Sequence, residues 1–349
     1  MKSPTTPKIL ACLAAAAVLL GGTAAADRLP SPASALTRTV SASSEVPDRE
    51  ALARADGVAH QAAAVTDAQS RAVLDYWTVE RMAAAQPISM AAVDLVEDAL
   101  RLSERSQRAE PQAAPHGNST GEPWTGGGLV TRTTGKVFLT MDGRDFTCSA
   151  SVVDSANRST LVTAGHCAKD GRGSWAKNWT FVPGYADGAS PHGRYTARDL
   201  LVAPQWQRDA DDSYDFAMAV LNTRDGRTVQ ESVGAQRIAF DTWTEDRVRD
   251  GVQVYTFGYP AASPFDGRDL HYCSGRTTAD TGGTTANGVG CTMTQGSSGG
   301  PWFAGFDTGT GRGTISSVVS FKYASDTSTQ YGPRLGAAAR QVFEHAENL

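Results

Sequence analysis

The stretch TQGSSGGPWF, Thr294 to Phe303, sets Ser297 and Ser298 side by side among glycines. A serine hydroxyl is a poor nucleophile unless a base takes its proton. Histidine is the usual base, and its second ring nitrogen needs a partner to fix the tautomer. The chain has six histidines. His60 and His116 lie in the N-terminal third, His192 in a polar turn after Ser190-Pro191, His271 beside Tyr272 in a candidate strand, and His345 near the C-terminus. His166 stands in LVTAGHC, Leu161 to Cys167. An aspartate is available in DADDSYDFAM. Asp211 and Asp212 suit a solvated charge run, whereas Asp215 adjoins an apolar strand pattern and can be buried against an imidazole.

Oxyanion geometry favours Ser298 over Ser297. The N–H groups of the nucleophile and of the residue two before it must converge on the developing oxyanion. Gly296 is then the second donor, and a Cβ there would crowd the substrate. Gly299 and Gly300 let the chain turn away sharply. A glycine-serine linker is the bland alternative, but PWF and VGCTM flank the stretch with packing residues. GSSGG also fits G-x-S-x-G, the nucleophile elbow of an α/β-hydrolase, with Ser298, Asp326 and His345 in the required order. An esterase of that type is the alternative reading. It is disfavoured because an elbow leads into a helix, whereas Pro301-Trp302-Phe303 and GTISSVV read as strand, and no alternating βα pattern precedes them.

The elements that must position these residues read as β. The 349-residue chain has 35 glycines, 20% charged residues and a net charge of −5. Such a balance suits a loop-rich β protein and gives no basic footprint for nucleic acid and no polybasic membrane patch. The spacing predicts a hairpin over GKVFLTMDGRDFTCSASVV with its turn at Asp142-Gly143. Further strands are predicted in STLVTAGHC, NWTFVPGY, YDFAMAVL, QRIAF, VQVYTFGY, LHYCSG, GVGCTMT and GTISSVVSFKYA, with a closing helix over Leu335 to Asn348. Upstream, Lys2 and Lys8 precede the apolar run Ile9–Leu20 and the exit Ala24-Ala25-Ala26, the pattern of a secretory signal peptide over residues 1–26. Residues 27 to about 65 read as poorly ordered, Thr66–Ala85 and Ser89–Arg105 as helical, and Gln107–Gly128 as a linker. The expected domains are a signal peptide (1–26), a pro-segment and linker (27–120) and a β domain (121–349), secreted and monomeric. Cys12 leaves with the signal. Cys148, Cys167, Cys273 and Cys291 then imply two disulfides, with three pairings possible. Their spacing does not suit a metal site.

The three stretches together resemble the trypsin/chymotrypsin superfamily of serine peptidases, in its secreted bacterial form. LVTAGHC resembles the histidine motif, YDFAMAVL the aspartate motif and GSSGGPWF the nucleophile motif, in the family's order His166, Asp215, Ser298, across roughly Gly128 to Val342. The resemblance implies an all-β fold of two six-stranded antiparallel barrels with a C-terminal helix. It implies a hydrolase acting on protein or peptide substrates through a Ser-His-Asp triad and an acyl-enzyme, without a cofactor. A disulfide between Cys148 and Cys167 is implied too, which leaves Cys273 and Cys291 to pair. The implied primary pocket is lined by Thr292, Ser320, Phe321 and Lys322. Two departures stand out. Ser297 replaces the aspartate with which trypsin captures a newly freed N-terminus, and no Ile-Val-Gly-Gly start is present, so activation by N-terminal insertion is not expected. Thr292 replaces the pocket-base aspartate, so a preference for Arg or Lys is not expected, and Lys322 is a candidate for attracting acidic side chains. A non-catalytic binding module on the same fold would lack one of the three residues, and all three are present.

Overall fold

The structure, a computed structural model, describes residues 57–88 and 118–349. The expected signal peptide (1–26), the region 27–56, the Ser89–Arg105 helix and His116 lie outside the described residues. The first stretch comprises β1 (Ala59–Ala62), α1 (Asp67–Tyr76), α2 (Val79–Ala84) and β2 (Gln86–Pro87). The second opens with β3 (Thr120–Pro123) and α3 (Gly128–Thr133), followed by β4 (Thr134–Met141), β5 (Arg144–Val152), β6 (Thr160–Thr163), β7 (Lys177–Pro183), β8 (Tyr195–Val202), α4 (Pro204–Asp209) and β9 (Ala217–Leu221). Then come α5 (Val229–Val233), β10 (Arg237–Ile238), α6 (Glu245–Asp250), β11 (Gln253–Gly258), β12 (His271–Arg276), β13 (Thr278–Ala279) and β14 (Asn287–Gly290). The chain ends with β15 (Pro301–Asp307), β16 (Arg312–Val318), β17 (Phe321–Tyr323), β18 (Asp326–Gly332) and α7 (Ala337–Glu347).

Strands β4, β5, β6, β9, β8 and β7 follow one another and close through the pairing of β7 with β4. The β4–β5 hairpin turns on Asp142 and Gly143, both at positive φ (49° and 75°), as a two-residue Asp-Gly turn requires. Apolar residues fill the barrel, among them Val137, Leu139, Leu161, Trp179, Phe181 and Leu200. The second half consists of a six-stranded sheet, β10-β16-β15-β11-β12-β3, and a four-stranded sheet, β13-β14-β18-β17. Helix α7 starts after Gly336 and buries Val342 and Phe343, as its sequence pattern predicts. Cys148 is bonded to Cys167 and Cys273 to Cys291, the pairing that the resemblance implies.

Three segments differ from expectation. Residues 57–65, expected to lack order, contain β1, which pairs with β8. The Thr66–Ala85 helix is divided at Trp77. Thr66 caps α1 through a reciprocal bond with Gln69, Thr78 caps α2, and Trp77 between them is buried against Phe138 and Val182. Burying an indole stabilises by on the order of 5 kcal/mol, enough to outweigh the continuation of one helix. The described end of the expected linker, from Asn118 to Gly128, is also built into the domain. Its β3 pairs with β12, Ser119 bonds Ser274, and the Trp124 ring packs on Phe257, Tyr272 and Phe306.

Candidate active site

His166 and Asp215 meet because β6 and β9 are paired neighbours. Thr163 at the end of β6 lies opposite Ala217 at the start of β9. The short helical turn Gly165–Cys167 follows β6, and the turn Asp212–Tyr214 precedes β9. The Asp215 carboxylate then accepts two bonds from one residue. The His166 amide donates to Oδ1 at 2.7 Å, and Nδ1 of the ring lies 2.7 Å from Oδ2. Gly165 permits this approach, since a Cβ there would stand 2.8 Å from Asp215 Oδ1. Ser320, just before β17, donates a third bond to Oδ2 at 2.5 Å. Burial alone would push the Asp215 carboxyl up. The His166 charge and these hydrogen bonds outweigh it and hold the group below the usual carboxylate range. Burial likewise pushes the His166 imidazole down, but the Asp215 charge and hydrogen bond carry it above its ordinary value. The two neighbouring aspartates behave differently. Asp211 caps the turn by accepting from Ser213 N. Asp212 is pushed up to about 7 by burial and by the Asp215 charge.

Ser298 reaches the same place from the second half of the molecule. Its carbonyl accepts from Ser149 N on β5 at 2.7 Å and lies 3.6 Å from Cys167 Sγ. Residue 298 is thereby held beside the disulfide that follows His166. Gly296 has a φ of 95°, and a Cβ would stand 2.7 Å from Tyr259 O and 3.0 Å from Ala261 Cβ. The need for glycine thus comes from the protein's own walls, where the sequence suggested crowding of the substrate. The loop is fixed at its flanks. Ser149 Oγ donates to Gly296 O, and Ala261 N donates to Gln295 O. Among the described residues, the N–H groups of Gly296 and Ser298 have no protein acceptor. His166 Nε2 and Ser298 Oγ are likewise buried without a protein partner. Ser297 is spent structurally. Its hydroxyl donates to Thr294 O at 2.7 Å and accepts from Gln330 Nε2.

The four candidate pocket residues have separate fates. The Ser320 hydroxyl turns to Asp215. Phe321 is fully buried and stacks on Tyr331 at 5.1 Å. The Lys322 ammonium donates to the carbonyls of Cys291 (2.6 Å) and Thr327 (2.7 Å), and burial lowers its pKa to about 8. Its charge is directed at the chain's own backbone. Thr292 is exposed and donates to Thr120 O on β3. Sequence reasoning missed Ser149, whose hydroxyl binds both Gly296 O and Tyr259 N, and the bond from Ser320 to Asp215. Isolated serines carry no spacing signal. The Ser298–Asp326–His345 alternative is overturned by the fold. The strand β15 follows the serine loop, Asp326 bonds Ser328 and Thr329, and His345 lies on α7, 6.0 Å from the His60 ring. Cys148, His166 and Cys167 form a close cluster of metal-ligating residue types. The two sulfurs are bonded to each other and offer no thiolate.

A family model described as Trypsin matches residues 123–336. The protease Anisep of Arthrobacter nicotinovorans is 38% identical, with a TM-score of 0.59 over 66% of this chain and 100% of its own. A thermostable serine protease, AL20, from an extremophilic microorganism is 42% identical, with a TM-score of 0.58 over 63% of this chain and 99% of its own. A Glu endopeptidase shares the fold at 18% identity and a TM-score of 0.52, over 66% of this chain and 98% of its own. Among curated proteins, the extracellular metalloprotease of Bacillus subtilis (strain 168) is 34% identical over 73 residues, which are 21% of this chain and 23% of that protein. The chain thus matches about a quarter of that relative's length.

Proposed function

The chain belongs to the trypsin family, and we propose that it is a secreted serine endopeptidase working through Ser298, His166 and Asp215. The observation that carries this reading is the doubly bonded His166–Asp215 pair, which leaves Nε2 without a partner beside the Ser298 loop. Asp215 bonded at Nδ1 fixes the tautomer whose Nε2 can accept a proton. In the proposed reaction His166 takes the Ser298 proton as Oγ attacks the scissile carbonyl. Asp215 stabilises the imidazolium, and the N–H groups of Gly296 and Ser298 hold the oxyanion. His166 then protonates the leaving amine, and water repeats the cycle on the acyl-enzyme.

Secretion is supported by the signal-like residues 1–26, by two disulfides and by the extracellular location in the curated relative's name. In the same reading residues 27–120 are a pro-segment and linker, cut from a monomeric peptidase domain at 121–349. The contacts of that domain with the preceding stretch reach back to Asn118 and Ser119. The separate fates of Ser297 and Ser298 provide the test. Ser298→Ala abolishes turnover of a chromogenic peptide, and Ser297→Ala keeps substantial activity. A serine-reactive phosphonate labels Ser298 alone. The reverse pattern of activity, or a label on Ser297, sinks the assignment.

A further inference from the structure

Residues 57–88 lie outside the family match at 123–336, yet they are built into the first barrel. Strand β1 extends the edge of β8 in register, from Ala59 opposite Val202 to Ala62 opposite Asp199. Such edge addition supplies backbone hydrogen bonds, and side-chain pockets supply the fit. Two pockets do so here. His60 Nε2 meets Asp199 Oδ1 at 2.8 Å, with both side chains fully buried. The Trp77 ring fills a site against Phe138 and Val182, and its Nε1 donates to Asn178 O at 2.6 Å. The far end is secured as well, because β2 pairs with β5 and Ile88 N donates to Thr147 O.

The footprint of this clasp falls on β4, β5, β7 and β8, with Asn222 after β9 and His345 on α7 at its margin. Among the described residues, none of its hydrogen bonds reaches 164–168, 211–216 or 294–300. A segment placed there does not have to leave for substrate to reach the site. It also shares no disulfide with the domain, since Cys148, Cys167, Cys273 and Cys291 pair among themselves.

We propose that residues 57–88 stay bound to the peptidase domain as a second, non-covalently held chain after the polypeptide is cut between Ile88 and Ser119. The mature protein is then two-chain, and its first barrel keeps the added strand. The inference goes beyond the catalytic reading and does not need it.

The test uses the full-length chain carrying Ser298→Ala, so that cutting is done only by a trace of added broad-specificity protease. Intact mass identifies molecules cut between residues 89 and 117, and size exclusion in 1 M salt follows. One peak holding both fragments at equal stoichiometry is expected. Elution of the 118–349 fragment by itself overturns the proposal. In the cut protein, Trp77→Ala speeds loss of the smaller fragment by on the order of 100-fold or more. Val79→Ala, at a side chain 79% exposed, leaves release unchanged. Equal release from the Trp77→Ala and Val79→Ala proteins would also overturn it. If Trp77→Ala does not fold, co-elution of the two fragments in the Ser298→Ala and Val79→Ala proteins decides the matter.

Discussion

Asp215 accepts from the His166 amide, the His166 ring and Ser320, whereas the Gly296 and Ser298 amides find no acceptor among the described residues. The two halves of the site are therefore built on opposite principles. At Asp215 the charged group takes three donors, two from His166 on the turn after β6 and one from Ser320 just before β17. On the loop from Thr294 to Gly300, the Gly296 and Ser298 amides and the Ser298 hydroxyl are left open and their flanks are tied. A buried donor without an acceptor costs about 1–3 kcal/mol. The loop sustains that cost because Ser149 and Ala261 hold the adjacent carbonyls. Order on one side and open valence on the other is the arrangement expected where charge must develop during a reaction.

The largest effect that would sharpen this contrast comes from the saturated side. Asp215→Asn keeps the shape but removes the charge and offers Nδ1 a donor where it needs an acceptor. Turnover is expected to fall by roughly 10⁴-fold with far-ultraviolet circular dichroism unchanged. A loss below tenfold would show that the imidazole does not depend on Asp215. On the open side, Gly296→Ala forces a side chain into φ 95° and against Tyr259 O. A drop of about 10² to 10³ in kcat is expected if the Gly296 amide is displaced from the oxyanion. A variant with unchanged kcat would break the assignment of that amide.

The two halves also differed in how far the sequence revealed them. His166 and Ser298 announce themselves because tight turns demand small residues around them, and such demands leave motifs. The Asp142-Gly143 hairpin and α7 were legible for the same local reason. Ser149 and Ser320 were not legible as supports, because their role comes from strands far apart in the chain meeting at the site. Strand β8 escaped notice because Arg198 and Asp199 interrupt its apolar pattern, and the buried Asp199 carboxylate meets His60 on β1 and the neighbouring Arg198. β18, Asp326–Gly332, is mostly polar and reads as a loop until β14 and β17 pair with it. Residues 57–65 looked featureless for a related reason. Their order is supplied by the edge of β8.

The smallest effect is in pH dependence, and it separates the halves most cleanly. Asp215 raises the His166 pKa despite the opposing effect of burial. In the proposed reaction His166 is the base and must be neutral, so activity is expected to be lost as pH falls through a value above the ordinary imidazole pKa of about 6.5. The same shift stabilises the fold. A histidine whose folded pKa is raised adds stability that is fully present below its unfolded pKa and fades as pH rises through the folded one. Asp215, held low, adds stability above its unfolded pKa of about 4 and loses it only at lower pH. Between about 4.5 and 6 the protein is therefore expected to be folded and inactive, with Tm maintained while kcat/KM falls. Asp212, pushed up to about 7, titrates nearby, and Asp212→Asn removes its contribution from the profile. Ser320→Ala strips one donor from the Asp215 carboxylate, strengthens its pull on the imidazolium, and moves the acid limb upward by a fraction of a unit. Asp215→Asn moves the limb of its residual activity downward. Movement of both limbs in the same direction would mean that the charge at residue 215 does not set the titration of His166.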